Sequence, residues 1–566
     1  MAFLKNRKIL SLTFFFVVIV SLIRLFQGVD FTDTGFLLSH YKYSINNTNY
    51  INPEDYTLLG TFLIGGFFYN FFGFKTLVSF KILYFIASLI TLICSYLFLK
   101  KFLKNNKKDL LFYLLISFFF LNFFHQNYLD YDNISIIFLI LILNLTSNIY
   151  HKKNYIISSI FLTFLIIFSV FINFKNLSYI FNLLLILSFL VYEKKFDKKY
   201  LFLNLILLFI GSIFSLGLIW KILHITNITE NYFYFLNNIF LNNITDSSDV
   251  HSFGYLLKRH LRDYSIAILF FIVFVFFHKI FFKQIKNKNL IVISSIIFLL
   301  LSLIEIFIID FKRWYLPSIF AYIIFLCILE KKKYQFFYIL IFINIFLISA
   351  GSAGSVEKTS YIYWLTIPIT FAYFLDLKSA GYLNIFKFSK KYYFIILLNY
   401  FLIFSFSGNL LNTYRDGFNF FKLSHSIDIK ELKYSFTSRE RANSINTLYH
   451  YLNINYHKDE EIINFNSIPM LYFITDLKPY RKIWNFTSSV SSLKKFFLEN
   501  NFINFPDLLY AKVDTMNKNW PTKGRIEDIK TEMNDKKILI MYEFIEKYNY
   551  EIKWQNDAFV LMSKKY

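Results

Sequence analysis

Long apolar runs recur along most of this sequence, and they constrain its fold more than any other feature. The hydrocarbon core of a bilayer is about 30 Å thick, so a helix crosses it with about 20 residues. Runs near that length lie at 9–27, 76–99, 110–124, 134–149, 155–172, 177–192, 200–222, 265–282, 290–309, 315–329, 334–349, 361–376 and 392–410. We therefore predict an all-α polytopic membrane bundle of about 13 transmembrane helices.

Lysine clusters between the runs predict the orientation of the bundle. Lys5, Arg7 and Lys8 precede the first run and place the N-terminus in the cytoplasm by the positive-inside rule. Counting spans from there puts these clusters inside: Lys100 to Lys108, Lys152-Lys153, Lys194 to Lys199, Lys283 to Lys288, Lys331 to Lys333 and Lys378 to Lys391. An odd number of spans leaves the C-terminal segment outside. The prediction is a multi-pass protein of the inner (plasma) membrane with a periplasmic, or extracytoplasmic, C-terminal domain.

The composition agrees with a membrane protein and excludes other classes. Hydrophobic residues make up 56% of the chain and charged residues only 17%, too few to cover a large soluble surface. The net charge of +23 resembles a nucleic-acid signature, but the lysines lie between apolar runs. We therefore predict no nucleic-acid partner, and membrane lipid as the surroundings of the chain.

One apolar run, Leu58 to Phe72, is predicted to be a helix in the outer interface rather than a span. A span at this position would reverse every later loop and put the lysine clusters outside. Pro53 and the acids that follow it suit the N-terminal end of such a helix.

The composition becomes that of a soluble protein after residue 410. Strand-like runs at 461–465, 508–513 and 537–541 alternate with helical patterns at 440–452 and 542–548. This alternation predicts a C-terminal α/β domain over 411–566, following a transmembrane domain over 1–410.

Polar residues concentrate at the predicted outer ends of the spans. An outer carboxylate is suited to take the proton of an attacking hydroxyl, and outer cations are suited to hold a departing phosphate. Helix caps and snorkelling side chains are the structural alternatives. The candidate catalytic residues are Asp30, Asp33, Asp130 and Asp132, and the candidate phosphate-binding residues are Lys175, Lys312 and Arg313.

The order of these features resembles the membrane glycosyltransferases of the GT-C superfamily, of the dolichyl-phosphate-mannose type. In that family the loop after the first span carries an Asp-Glu pair, and Asp33-Thr34 stands at that place. The family also has an Asp at the start of span four with an aromatic residue six positions later, as Asp132 and Phe138 are here.

Three further segments carry the resemblance. Pro53, the apolar run after it and Gly73 match the family's next loop region. Lys175 corresponds to a lysine that contacts the lipid phosphate in relatives. Arg313-Trp314-Tyr315-Leu316-Pro317 is similar to the Arg-Tyr…Leu-Pro start of a late span.

The resemblance implies an inverting glycosyltransferase. It would move a sugar from a polyprenyl-phosphate donor to a glycan, lipid or protein acceptor on the outer face, with Asp33 as the base. Thr34 replaces the expected Glu, which leaves Asp30 as a second candidate base and leaves metal use open. No cofactor and no metal ligands are assigned; a divalent metal ion is the alternative.

Two other functions share this pattern. A transporter or flippase of lipid-linked glycans would carry broken helices and polar residues near the bilayer midplane. A glycan polymerase or ligase would share the topology but use a lipid-diphosphate donor.

Overall fold

A computed structural model describes most of the chain. The described residues are 7–45, 51–103, 107–124, 127–192, 197–239, 253–281, 312–330, 334–349, 355–375, 398, 400–405, 408–409, 413, 415–416, 420–465, 468–482, 490–499, 505–522 and 532–565. They form a mainly helical bundle joined to a C-terminal region with two small sheets.

Most helices of the bundle follow the apolar runs. In chain order they are α1 (Arg7–Leu25), α2 (Asp33–Tyr43), α3 (Leu59–Phe71), α4 (Leu77–Leu99), α5 (Lys107–Phe124), α6 (Tyr131–Tyr150), α7 (Tyr155–Ile172), α8 (Ile180–Tyr192), α9 (Lys198–Ile225), α10 (Thr229–Tyr234), α11 (Phe253–Phe281), α12 (Lys312–Glu330), α13 (Gln335–Leu347), α14 (Tyr363–Leu375), α15 (Arg439–Asn455), α16 (Met470–Ile474), α17 (Val490–Lys494) and α18 (Glu532–Lys547). Turns of 3₁₀ helix at Pro53–Leu58, Phe174–Tyr179 and Ser355–Ile362 lead into α3, α8 and α14.

Within the described part of the chain, five helices are long and apolar enough to cross a membrane. They are α4, α6, α7, α9 and the continuous segment Phe174–Tyr192. Shorter apolar helices lie at Phe14–Leu25, Asp109–Leu121, Trp314–Leu329 and Gln335–Leu347. The structure thus supports a membrane-embedded helical protein, but these helices do not support the predicted count of thirteen spans. The predicted span at 290–309, and half of the one at 392–410, lie outside the described residues.

The segment between α1 and α4 does not cross the bilayer as one straight helix. Its longest helix, α3, has 13 residues and is therefore about 20 Å long, well short of the bilayer core. Phe67 and Phe71, near its C-terminal end, are exposed. A location of α3 in the membrane interface stays a prediction.

The described residues of the C-terminal region form seven strands in two sheets. They are β1 (His425–Ser426), β2 (Phe436–Thr437), β3 (Glu461–Phe465), β4 (Lys478–Pro479), β5 (Leu508–Ala511), β6 (Tyr550–Gln555) and β7 (Phe559–Lys564). The larger sheet has the order β4-β3-β5-β7-β6, with β3 parallel to both β4 and β5 and β7 antiparallel to both β5 and β6. β1 and β2 form a separate antiparallel pair.

The strand predictions at 461–465 and 508–513 match β3 and β5, but the one at 537–541 is wrong. Those residues lie in α18, where Ile540, Met541 and Phe544 are buried against the sheet and Leu539 and Tyr542 are exposed. The spacing of these buried residues, one and then three positions apart, is that of a helix face. An apolar run of five residues does not by itself distinguish this face from a strand.

The C-terminal region packs directly on the segment that follows α1. The Gly28 amide donates to the Phe436 carbonyl (2.9 Å), and the Met470 amide donates to the Phe31 carbonyl (3.2 Å). A Cβ on Gly35 would lie 2.4 Å from the Met470 backbone, so only glycine fits there. Residues of both regions belong to one hydrophobic core. The boundary predicted at 410/411 therefore separates two regions that share a core.

Candidate functional site

The two aspartates that follow α1 have different surroundings. Asp30 is buried and accepts hydrogen bonds from the amides and the hydroxyls of Thr32 and Thr34, at 2.6–3.0 Å. It therefore caps the start of α2, where the N-cap residue Thr32 makes no capping side-chain hydrogen bond of its own. Asp33, the first residue of α2, has a side chain that is 28% exposed, and its Oδ2 lies 2.9 Å from Nη2 of Arg415. The geometry therefore favours Asp33 over Asp30 as the residue that can meet a ligand.

The two aspartates before and in α6 also differ in their partners. The carboxylate of Asp130 caps α6 by accepting from the amide (2.8 Å) and the side chain of Asn133. Burial, together with the neighbouring Asp132, raises the pKa of Asp130 to about 8. Asp132 accepts hydrogen bonds from Lys358 and from the Tyr361 hydroxyl, both on the 3₁₀ turn before α14.

Lys175 lies in a tight turn that is held against α6. The Asn173 side chain caps the turn by accepting from the Lys175 amide (3.2 Å), and the Asn176 side chain donates to Ser135 of α6 (3.0 Å). The Lys175 ammonium is 5.3 Å from the centre of the Tyr131 ring, and the Lys358 ammonium is 5.7 Å from the centre of the same ring. Both distances are typical of cation–π contacts.

These side chains belong to one end of the bundle. Lys175 lies within electrostatic range of Lys358, Asp132 and Asp33. The Tyr41 hydroxyl donates to the Leu129 carbonyl (3.0 Å), which ties α2 to the loop before α6. The structure thus brings together Asp33, Asp132 and Lys175, which the sequence predicts as site residues, although they lie in three separate segments of the chain.

Two predicted phosphate-binding residues are not placed in this site. Lys312 and Arg313 begin α12, but their side chains lie outside what the structure describes. Their contact with a phosphate stays a prediction.

Sequence reasoning missed Lys358, Tyr361 and Arg415. Lys358 lies in a connection that the span count places outside, and Arg415 follows the last predicted span. The criterion that selected Lys175, an outer cation beside a span, therefore applies to both residues. For Tyr361, no local signal distinguishes it from the other tyrosines of the chain.

The carboxylates of this site do not fit a metal ion. Asp30 already accepts four hydrogen bonds, and Asp33 and Asp132 are each paired with a cation. Across the described residues, no three or more His, Cys, Asp or Glu side chains are grouped so as to hold a metal ion.

Fold and site together define a membrane-embedded helical protein with carboxylates and cations clustered at one end of its bundle. Comparisons of the chain with protein-family models and with curated proteins give no match. The functional conclusion therefore depends on the geometry of the site.

Proposed function

We propose that this protein is an integral-membrane glycosyltransferase that moves a sugar from a polyprenyl-phosphate donor to a glycan, lipid or protein acceptor. The supporting observation is the convergence of Asp33, Asp132, Lys175 and Lys358 at one end of helices apolar enough to span a membrane. A polyprenyl donor is anchored in the bilayer, so its phosphate and sugar are held where the spans end.

Asp33 takes the role of general base. An acceptor hydroxyl attacks the anomeric carbon from the face opposite the phosphate, and the carbon–oxygen bond to the phosphate breaks. Asp33 accepts the hydroxyl proton, and the polyprenyl phosphate leaves with the bonding electron pair. Lys175 and Lys358 stabilise the charge that develops on the leaving phosphate. Attack from the opposite face inverts the configuration of the sugar.

The net charge around Lys175 and Lys358 suits a single phosphate group. Lys175 and Lys358 contribute two positive charges and Asp132 contributes one negative charge. Burial and the neighbouring Asp132 raise the pKa of Asp130, which favours its neutral form. The net charge of this end is therefore close to +1, which balances a phosphodiester better than a diphosphate. This balance favours a polyprenyl-phosphate sugar over the donor of a polymerase or ligase.

A reconstituted transfer assay tests this function. The full-length protein in vesicles should release polyprenyl phosphate from a polyprenyl-phosphate sugar when an acceptor is present, and should leave the corresponding diphosphate intact. Consumption of the diphosphate alone would support the polymerase or ligase. Movement of an intact donor between leaflets, with no bond broken, would support the transporter or flippase.

The proposal includes the GT-C-like topology of about thirteen spans, with the site on the outer face of the inner (plasma) membrane. Its basis is the alternation of lysine clusters. Reporters fused after Lys104 or Lys332 should then be cytoplasmic, and a reporter fused after residue 420 should be exported. A cytoplasmic C-terminal reporter would contradict this topology and would place the site on the inner face.

A further inference from the structure

Arg415, the partner of Asp33, has an uncommon backbone conformation. Its φ of +50° lies in the left-handed region, which residues other than glycine rarely adopt. Such a conformation persists where the surrounding structure holds it in place, and it is often found at functional sites. The contacts around Arg415 show what holds it.

A buried ion pair, Arg441 with Asp416, fixes the backbone at Arg415. Nη1 of Arg441 donates to the Arg415 carbonyl (2.8 Å) and lies 2.8 Å from Oδ1 of Asp416. Oδ2 of Asp416 accepts from the Val29 amide (2.7 Å), directly before the aspartate that caps α2. The Thr437 hydroxyl donates to Oδ1 of Asp416 (2.9 Å). The chain after the bundle is thereby bound to the loop after α1.

The rest of the Arg441 guanidinium is bound by the C-terminal region. It donates to the carbonyls of Lys518 (2.9 Å) and Trp520 (3.3 Å), and it lies 4.2 Å from the centre of the Trp520 ring. Arg441 is fully buried, although a buried guanidinium is costly unless its donors are satisfied. We call Arg441, Asp416 and Trp520 the arginine clamp.

Arg415 is better suited to orient a carboxylate than to bind a phosphate. Its guanidinium contacts Asp33 (2.9 Å), the Thr32 hydroxyl and, at 4.0 Å, Asp30. The Arg415 guanidinium is therefore already occupied by a carboxylate and a hydroxyl, with a second carboxylate nearby, which makes it less suited to bind a further anion. The side chain of Arg415 is 21% exposed, so it lies at the edge of the site.

We infer that the arginine clamp positions Arg415, and through it the carboxylate of Asp33, so that the C-terminal region is a working part of the site. This inference rests on the proposed function. Arg415 and Arg441 are positioning residues, because each acts on the acceptor proton through Asp33. A misplaced base lowers turnover more than it lowers donor binding, since the donor phosphate is held by the lysines at the other end of the site.

Kinetics of Arg415→Gln, Arg441→Lys and the double variant test the inference in the full-length protein. Each single variant should lower kcat about 10–100-fold, the cost of a base displaced by about 1 Å. The donor KM should stay within about threefold in both, because neither residue contacts the phosphate. The double variant should be no slower than Arg415→Gln, because Arg441 acts through Arg415. Arg415→Lys should recover part of the lost kcat.

Two further variants act as controls. Tyr43→Phe removes another buried contact between α2 and the C-terminal region, the bond from the Tyr43 hydroxyl to the Leu477 carbonyl (2.8 Å), and should keep kcat. Thr437→Val weakens the clamp without a change of size, and it replaces Arg441→Lys if that variant does not fold. It should lower kcat in part.

The outcomes separate the inference from the proposed function. A normal kcat in Arg415→Gln, or additive losses in the double variant, would overturn the inference. A normal kcat in a folded Arg441→Lys variant would also overturn it. If Arg441→Lys does not fold, a normal kcat in Thr437→Val has the same meaning. In all these cases the proposed function stands as long as Asp33→Asn is inactive. If Asp33→Asn is active as well, the proposed function fails first.

Discussion

Asp33→Asn should abolish sugar transfer and leave donor binding intact. The amide keeps the size of the carboxylate and most of its hydrogen bonds, but it does not accept the proton of the acceptor. General-base assistance contributes about 10²–10⁴-fold to a rate, or roughly 3–5 kcal/mol of the barrier. Asp33 is part-exposed and paired with Arg415 across the surface of the site, so the change should not disturb the core. Turnover and donor affinity, measured on the same preparation, check this result.

Asp30→Asn is the matched control. Asp30 is buried and caps α2 through four hydrogen bonds, two of them to backbone amides. The amide retains fewer acceptors, so we expect a lower melting temperature and a much smaller loss of turnover per folded molecule than in Asp33→Asn. Loss of a cap costs about 0.5–2 kcal/mol. If the folded Asp30 variant were inactive and the Asp33 variant active, Asp30 would be the base. Activity in both would refute the transferase.

Lys175→Met and Lys358→Met should each weaken donor binding by about 10–100-fold. A hydrogen bond to a charged group contributes about 1.5–3 kcal/mol, and each substitution removes one of the two cations beside Tyr131. Lys358→Met also removes one of the two described hydrogen-bond donors of Asp132 and leaves the Tyr361 hydroxyl. The melting temperature of this variant is therefore measured together with its donor affinity. Arg313→Ala is tested in the same way, because the sequence predicts that Arg313 also binds the phosphate.

Lys101→Met is the control for this series. Lys101 is a half-buried lysine that follows α4. It packs against the C-terminal half of α6, where it donates to the Asn144 carbonyl (3.0 Å) and the Asn148 side chain (2.9 Å). The rise of an α-helix separates Tyr131 from Asn144 by about 20 Å. This variant should therefore bind donor normally. Equal losses in all the lysine variants would show a general effect of charge on the membrane surface instead of a phosphate site.

The pH dependence of donor binding follows from Asp130. Its pKa is raised to about 8, by burial first and then by Asp132, so the carboxyl is neutral below that pH and ionised above it. Lys358 favours its ionised form, and Tyr41 faces it from α2. Ionisation adds a negative charge beside the two lysines, so donor affinity should fall as the pH rises through about 8. The Asp130→Asn variant should show a smaller fall, because only the loss of charge on the lysines themselves then remains.

Local pattern was enough to predict the class of the protein and several of its elements. Apolar runs of span length predicted α4, α6, α7 and α9, and β3, β5 and α15 lie where alternation and helical periodicity placed them. The carboxylates were recognised because acidic residues directly beside a span are held at its end. The error at 537–541 has the same origin, since a short apolar run suits a strand and a buried helix face equally.

What the sequence determined by itself is therefore the set of features that depend on residues close together in the chain: apolar helices, the helix caps and the loops that hold Asp33, Asp132 and Lys175. Only the tertiary structure decided which carboxylates are paired with distant cations. The partners that make this distinction are distant, since Lys358 lies 226 positions from Asp132, and Arg415 reaches Asp33 from beyond the last predicted span. Such contacts arise from the packing of whole elements, and the periodicity of a single segment carries no information about them.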